Sequence, residues 1–288
     1  MKRNLIVVIA DPHCGNIYGW MNPDTVLDTI DELGNEVKYK PQANEIQKYL
    51  WHNITIPALD HLKSTAKNDP IAVISTGDVT QGNGHKEELV TTRISDQNFL
   101  AEDAFLPFIE LNNTKKARFI LGTGVHEFGE GSASITVAKL LQNKSPKKDI
   151  KAFYHGLADI NGFTIDYSHH GPNTGSRKWL EGNEARYYLR DLMLKDLSVG
   201  KKPPNLVLRG HYHERVKEYL SLVWDGVEYE SWLYVLPSMC MIGDFGRKST
   251  KSRHLITNGI IIFEVIDSKL YDVREFKQTL DIRTKEIW

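Results

Sequence analysis

Short apolar runs recur along the chain, and each ends abruptly in glycine or a polar residue. LIVVIA (5–10) runs into DPHCG, IAVIST (71–76) into GDVTQG, RFILGT (118–123) into GVHE, FTIDYS (163–168) into HHGP, and NLVLR (205–209) into GHYH. Runs of this length, rich in β-branched residues, read as strands buried on both faces. Stretches with helical spacing lie between them. Residues 41–68 begin with Pro41 and carry Ile46, Tyr49, Leu50, Ile54, Leu59 and Leu62. Residues 95–111 open with SDQN and carry Phe99, Leu100, Phe105, Phe108 and Ile109, and 132–142 and 183–197 repeat the pattern. After residue 215 the period changes. VWDGVEYESWLYVLP holds a turn-forming Asp225-Gly226 pair between strand-like arms, and NGIIIFEVIDSKLYDVREF reads as a further hairpin. Alternating strand and helix, then strands alone, predicts a layered α/β fold with a mixed sheet or a sheet sandwich. The expectation is a single domain over 1–288 with a strand-rich part from about 216.

Composition narrows this little. A chain of 288 residues can bury a sizeable core without a staple. The 41% hydrophobic and 25% charged content suits a soluble globular protein, and a net charge of -1 neither favours nor excludes nucleic acid. Two cysteines, Cys14 and Cys240, do not make a disulfide framework, so a reducing, cytoplasmic setting is expected. No run approaches the ~18 apolar residues of a membrane span. The opening MKRNLIVVIADPH mimics a signal peptide, but the apolar run stops at Ala10 and Asp11 and His13 follow at once. It reads better as a first buried strand.

The polar residues at the strand ends change the picture. They are Asp11, His13, Asp78, His126, His169, His170, His211 and His213, which include six of the 11 histidines. In open α/β sheets the carboxyl ends of strands converge on one crevice where ligands bind. Asp11 and His13 are two apart, as are His211 and His213, and in an extended segment that spacing puts both side chains on one face. Imidazole and carboxylate together suit manganese, iron, zinc or nickel. Five or six such ligands are too many for one tetrahedral ion and fit two ions sharing a bridging carboxylate, ~3.5–4 Å apart. Two such ions can clamp a phosphate, generate a hydroxide nucleophile and stabilise the leaving oxygen. Gly77, Gly124, Gly171 and Gly210 abut these residues, allowing tight turns and close approach of a phosphate to the backbone. Singly, each pair reads as a turn or a surface loop; five in the same structural place do not.

The order D-x-H, G-D, G-x-H-E, H-G, G-H-x-H, from Asp11 to His213, resembles the calcineurin-like metallophosphoesterase superfamily. The stretch HHGPNTGSRKWLEGNEAR also looks like members encoded by tailed phages and prophages. The resemblance implies a four-layer α/β/β/α sandwich of mixed sheets with a dinuclear centre of divalent transition metals, manganese first and iron, zinc or nickel as alternatives. It implies that Asp11, His13 and His213 bind the first metal, that Asp78 bridges, and that His170 and His211 bind the second. His126 matches the histidine that contacts the phosphate and protonates the leaving group. The chain departs from the family at Val125, where an asparagine normally supplies a second-metal ligand. Thr123, Asn83, Asn173, Asn183 or a water are the candidate substitutes. His169 is open between a ligand in place of His170, a phosphate contact and a buried hydrogen-bonded residue.

Basic residues cluster at 144–151, 200–204 and 246–254. Such clusters usually form solvated surface. The last, with Lys248, Lys251, Arg253 and His254, could hold a phosphate backbone if it flanks the metals. Arg177 and Trp179 follow the HHG motif and could bracket a phosphate and a base; Trp179 could equally pack a helix. The expected activity is a metal-dependent phosphoester hydrolase, preferably a phosphodiesterase on nucleic acid or nucleotides. The alternatives are a phosphomonoesterase on protein or a small molecule, and a binding protein that keeps the fold without turnover, as a retromer subunit of this superfamily does.

Overall fold

The computed structural model describes residues 2–84, 86–129, 131–174, 178–243 and 254–287. Arg177 and the basic residues Lys248, Lys251 and Arg253 lie outside the described residues. A six-stranded sheet contains β1 (Arg3–Ile9), β4 (Ile71–Ser75), β5 (Thr114–Ile120), β6 (Asp149–Phe153), β12 (Leu255–Ile266) and β13 (Lys269–Asp281), in the order β13-β12-β1-β4-β5-β6. A five-stranded sheet contains β7 (His155–Ile160), β8 (Phe163–Ser168), β9 (Leu206–Arg209), β10 (Val216–Trp224) and β11 (Val227–Val235), in the order β10-β11-β9-β8-β7. Strands β1, β4, β5 and β6 run parallel, as do β8, β9 and β11.

The period of two along β1 builds the layers. Leu5, Val7 and Ile9 face helices α1 (Glu45–Leu50), α2 (Ile56–Thr65), α3 (Ile94–Ile109) and α4 (Ser132–Lys144). Ile6, Val8 and Ala10 face the other sheet, meeting Ile165, Tyr167, Leu206, Leu208 and Tyr234. On the far side of that sheet, Val207, Leu233 and Val235 pack under Ala185, Leu189 and Met193 of α5 (Asn183–Ser198). Helices, two mixed sheets and a helix therefore stack in four layers, the expected α/β/β/α sandwich. Burial on both faces holds for β1 and β9, whereas β8 alternates.

Both expected hairpins form. Trp224 pairs with Val227 around Asp225-Gly226, and Ile266 pairs with Lys269 around Asp267-Ser268. All four turn residues have positive φ, as type I′ turns require. The expected helix over 41–68 is instead three pieces. Asn44 opens α1 with a capping box through Gln47, and a π-helical turn, Trp51–Thr55, separates α1 from α2. Pro57, in the first turn of α2, has no N–H to continue a regular ladder. The Thr55 hydroxyl donates to the Leu50 carbonyl and accepts from the Trp20 indole, which fixes the wider turn. A small hairpin, β2 (Leu27–Ile30) and β3 (Glu36–Tyr39), was not expected, nor were β6 and β7.

Candidate metal centre

The carboxyl ends of β1, β4, β5, β8 and β9 open onto one rim. Asp11 follows β1, and both its carboxylate oxygens accept from His211 N at 3.0 Å, which ties the two sheets together. Asp78 follows β4, and its Oδ1 accepts from Thr123 N at 2.6 Å, which ties it to the loop after β5. Gly122 allows that approach, since a Cβ there would lie 2.1 Å from Asp78 Oδ1. Gly77, at φ 110°, makes room for His169, whose Nδ1 a Cβ would meet at 2.4 Å. Glycine at these positions therefore accommodates site side chains, not only a phosphate.

The two D/H-x-H pairs do converge, but not as extended segments. Asp11, His13, Asp78, His211 and His213 have φ of 46°, 43°, 48°, 76° and 52°. Left-handed backbone in non-glycine residues costs of order 1–3 kcal/mol each and collects at functional sites. Here it bends each loop so that the side chains meet across the rim.

Among the described residues, four sets each bring three ligand atoms within 4.8 Å of one another: Asp11, His13 and His213; His169, His170 and His211; His13, Asp78 and His126; and Asp11, Asp78 and His169. All seven of Asp11, His13, Asp78, His126, His170, His211 and His213 are thus brought together, with His169 among them. His13 Nε2 lies 3.1 Å from His213 Nε2 and 3.8 Å from Asp78 Oδ2, while the buried His13 Nδ1 has no hydrogen-bond partner. His169 is buried; its Nδ1 donates to the Thr76 carbonyl at 2.8 Å, and its Nε2 lies 3.2 Å from Asp78 Oδ2. A histidine anchored through one nitrogen so that the other faces a cluster is the usual bearing of a metal ligand. His170 is exposed, with its ring 4.7 Å from those of His169 and His211.

Electrostatics sort these groups. Burial, then the charge of His126, drives His13 well below the usual imidazole range. Burial likewise lowers His213 to about 4, and burial with the charge of His169 lowers His211 to about 4. These imidazoles are neutral at pH 7, the form that binds metal. Burial also lowers His169, but the hydrogen bond and charge of Asp78 outweigh it and hold His169 at about 9. Burial would raise Asp78, yet the same partner keeps it below the ordinary carboxylate range, while burial lifts Asp11 to about 7.

The GTGVHE loop places His126 beside His13, ring centroids 4.5 Å apart and edge-on. Its Nδ1 donates to the Gln81 carbonyl at 2.6 Å, and Thr80 Oγ1 donates to the His126 carbonyl. Val125 is 53% exposed. Of the four side chains considered as substitutes, the Thr123 hydroxyl lies within the cluster, 3.1 Å from His169 Nε2 and 3.4 Å from His211 Nδ1. Asn83 instead accepts from Gln97, and Asn183 opens α5. Glu127 is fully buried and accepts from Gly122 N, Ser134 N and Ser134 Oγ, bracing the loop against α4. Trp179 is 76% exposed, in a single 3₁₀ turn, Lys178–Leu180. Thr76, Gln81 and Ser238, whose hydroxyl donates to the Asp11 carbonyl, support the site without any motif to signal them.

A two-sheet sandwich with clustered aspartates and histidines at its strand ends is the architecture of a metal-dependent phosphoesterase. The sequence pattern of the calcineurin-like phosphoesterases matches residues 5–234, and the chain belongs to that family. The matched range holds every candidate ligand and stops before β12. No curated protein matches the chain in sequence. Similar solved structures include a protein of unknown function from Aquifex aeolicus, with TM-score 0.32 and 13% identity over 73% of this chain and 80% of that one. They also include a metallophosphoesterase from Sphaerobacter thermophilus, with TM-score 0.29 and 11% identity over 89% of this chain and 82% of that one. Among the described residues no helix is long and apolar enough to cross a membrane.

Proposed function

We propose that the chain hydrolyses phosphodiesters at a dinuclear centre. Asp11, His13 and His213 would hold one ion and His169, His170 and His211 the other, with Asp78 between the two sets. The observation that carries this is that the Asp11/His13/His213 and His169/His170/His211 triads share no residue, while Asp78 groups with His13 in one further set and with Asp11 and His169 in another. The donor set fits divalent ions: the imidazoles of His13, His211 and His213, neutral at pH 7, converge with buried carboxylates, and the facing His13 and His213 nitrogens call for a cation between them. Ions bound there would supply Lewis-acid polarisation of phosphoryl oxygens and a lowered pKa for water. Thr123 fills the coordination place that Val125 cannot.

The remaining steps belong to side chains. His126 donates Nδ1–H to the Gln81 carbonyl and turns Nε2 toward the cluster; as the imidazolium it would pass the Nε2 proton to the leaving oxygen and revert to the neutral Nδ1–H form. General acid–base steps contribute about 10²–10⁴-fold. His126→Ala should lower kcat within about that range at unchanged metal content, less for substrates with good leaving groups. Metal lost together with His126 would make it a ligand.

A nucleic acid or nucleotide is the proposed substrate class, and the exposed indole of Trp179 just after the HHG loop supports it. Base stacking is worth ~1–3 kcal/mol, so Trp179→Ala should raise KM for a dinucleotide and leave bis-p-nitrophenyl phosphate unaffected. Manganese-loaded protein should turn over bis-p-nitrophenyl phosphate and single-stranded DNA faster than p-nitrophenyl phosphate. Turnover of monoesters or phosphoproteins alone would favour a phosphomonoesterase.

A further inference from the structure

We infer that Gln97, on α3 and outside every motif, is a positioning residue for His126; the inference rests on the reading of His126 as proton donor. Gln97 is fully buried, at 0% exposure. Its carboxamide grips both polar groups of Gly82: Oε1 accepts from Gly82 N at 3.0 Å and Nε2 donates to Gly82 O at 3.1 Å. Nε2 also donates to the Thr91 carbonyl at 3.1 Å and to Asn83 Oδ1 at 3.3 Å. The stem lies against Gly15, where a Cβ would come 2.5 Å from Gln97 Cγ, and Gly15 has φ +94°. A fully buried amide is tolerated only when its bonds are made, and these all go to the loops behind the site.

The connection to His126 runs through one peptide group. The Gln81 carbonyl, which accepts from His126 Nδ1 at 2.6 Å, and the Gly82 N–H, which donates to Gln97, are opposite ends of the same planar unit. The chain of hydrogen bonds is therefore His126 Nδ1–H to Gln81 O, across the amide, and Gly82 N–H to Gln97 Oε1. Bonds in series polarise one another by ~10–30% each. The carbonyl can only accept, so the relay holds the proton on Nδ1 and leaves Nε2 for the reacting side. Gly82 also lies tight against the His126 loop: a Cβ there would be 2.1 Å from Val125 O. Tilting the 81–82 peptide would move the imidazole with it.

The test uses the full chain, zinc-loaded and ¹⁵N-histidine-labelled, with Gln97→Met, which keeps the stem and removes the amide. In the wild type, His126, assigned with His126→Asn, should be the Nδ1–H tautomer whenever the ring is neutral, its Nε2 taking up the proton that the acid form delivers. Gln97→Met should mix the tautomers. It should also slow an alkyl phosphodiester at least about tenfold more than a nitrophenyl one, part of the about 10²–10⁴-fold of a general acid, at unchanged metal content. Adding Gln97→Met to His126→Ala should cost nothing further on the alkyl ester. Equal slowing of both esters with the tautomer intact would make Gln97 a loop anchor and overturn the inference, as would an Nε2–H tautomer in the wild type. Should Gln97→Met not fold, Gln97→Asn withdraws the amide by one methylene and is read the same way, and the wild-type tautomer decides regardless. Equal slowing of both esters by His126→Ala would instead overturn the proton-donor reading, leaving the tautomer to judge the relay.

Discussion

The two ligand triads at the rim differ in charge and in solvent. Asp11, His13 and His213 include a carboxylate, and Asp11 and His13 are buried at 0% and 4% exposure. His169, His170 and His211 include no carboxylate, and His170 is exposed. Their anchors differ too: Ser238 donates to the Asp11 carbonyl in the first triad and His169 Nδ1 donates to the Thr76 carbonyl in the second, while His211 N donates to Asp11 across the two. With no carboxylate of its own, the second triad would draw compensating charge from outside it, from Asp78 at 3.2 Å and Asp11 at 3.6 Å of the His169 nitrogens. Charge poorly matched by its surroundings binds weakly. Two metal sites built from these loops would therefore be unequal, with the carboxylates setting their order.

Removing the shared group tests this hardest. Asp78→Asn should empty the second triad and weaken the first, with loss of activity beyond the about 10–100-fold typical of changes in outer-shell partners. Atomic absorption on the purified variant checks it; full metal content would sink the bridging role. A smaller and selective loss is expected from His211→Ala, which should halve the metal content, whereas His213→Ala should remove the tighter ion. Thr123→Val should weaken the second ion by about tenfold, on the scale of lost supporting contacts. Val125→Asn should have the smallest effect, since Val125 is 53% exposed and Thr123 stands in the cluster already. Tenfold tighter binding in Val125→Asn would show that the second triad lacks a ligand.

Much of this arrangement was legible along the chain because local patterns encode it. The apolar runs before Asp11, Asp78, His169 and His211 became β1, β4, β8 and β9, and Asp225-Gly226 and the arms around Asp267 became hairpins. Strand β7 joins β8 through the two-residue turn Asn161-Gly162, a local hairpin signal, but β6 was not legible: DIKAF is short and polar and pairs with β5 across the whole of α4. Hairpin β2–β3 was hidden similarly, and Arg93, which bonds Thr29 and the Asp28 carbonyl from beside α3, holds it from far along the chain. At the site, motifs named the side chains that meet, but not the backbone that turns them. The positive φ at Asp11 and His213 has no local signature like that of Asp-Gly. His169 was ambiguous because only the Thr76 carbonyl, from another strand, decides which way its ring faces.

The central claim is two linked but unequal metal sites, and stepwise titration of metal-free protein with zinc or manganese, followed by calorimetry, tests it most directly. Two ions per chain with distinct affinities are expected, the weaker one abolished in His211→Ala and the tighter one retained. A single ion per chain, two ions of equal affinity, or loss of both in His211→Ala would contradict it.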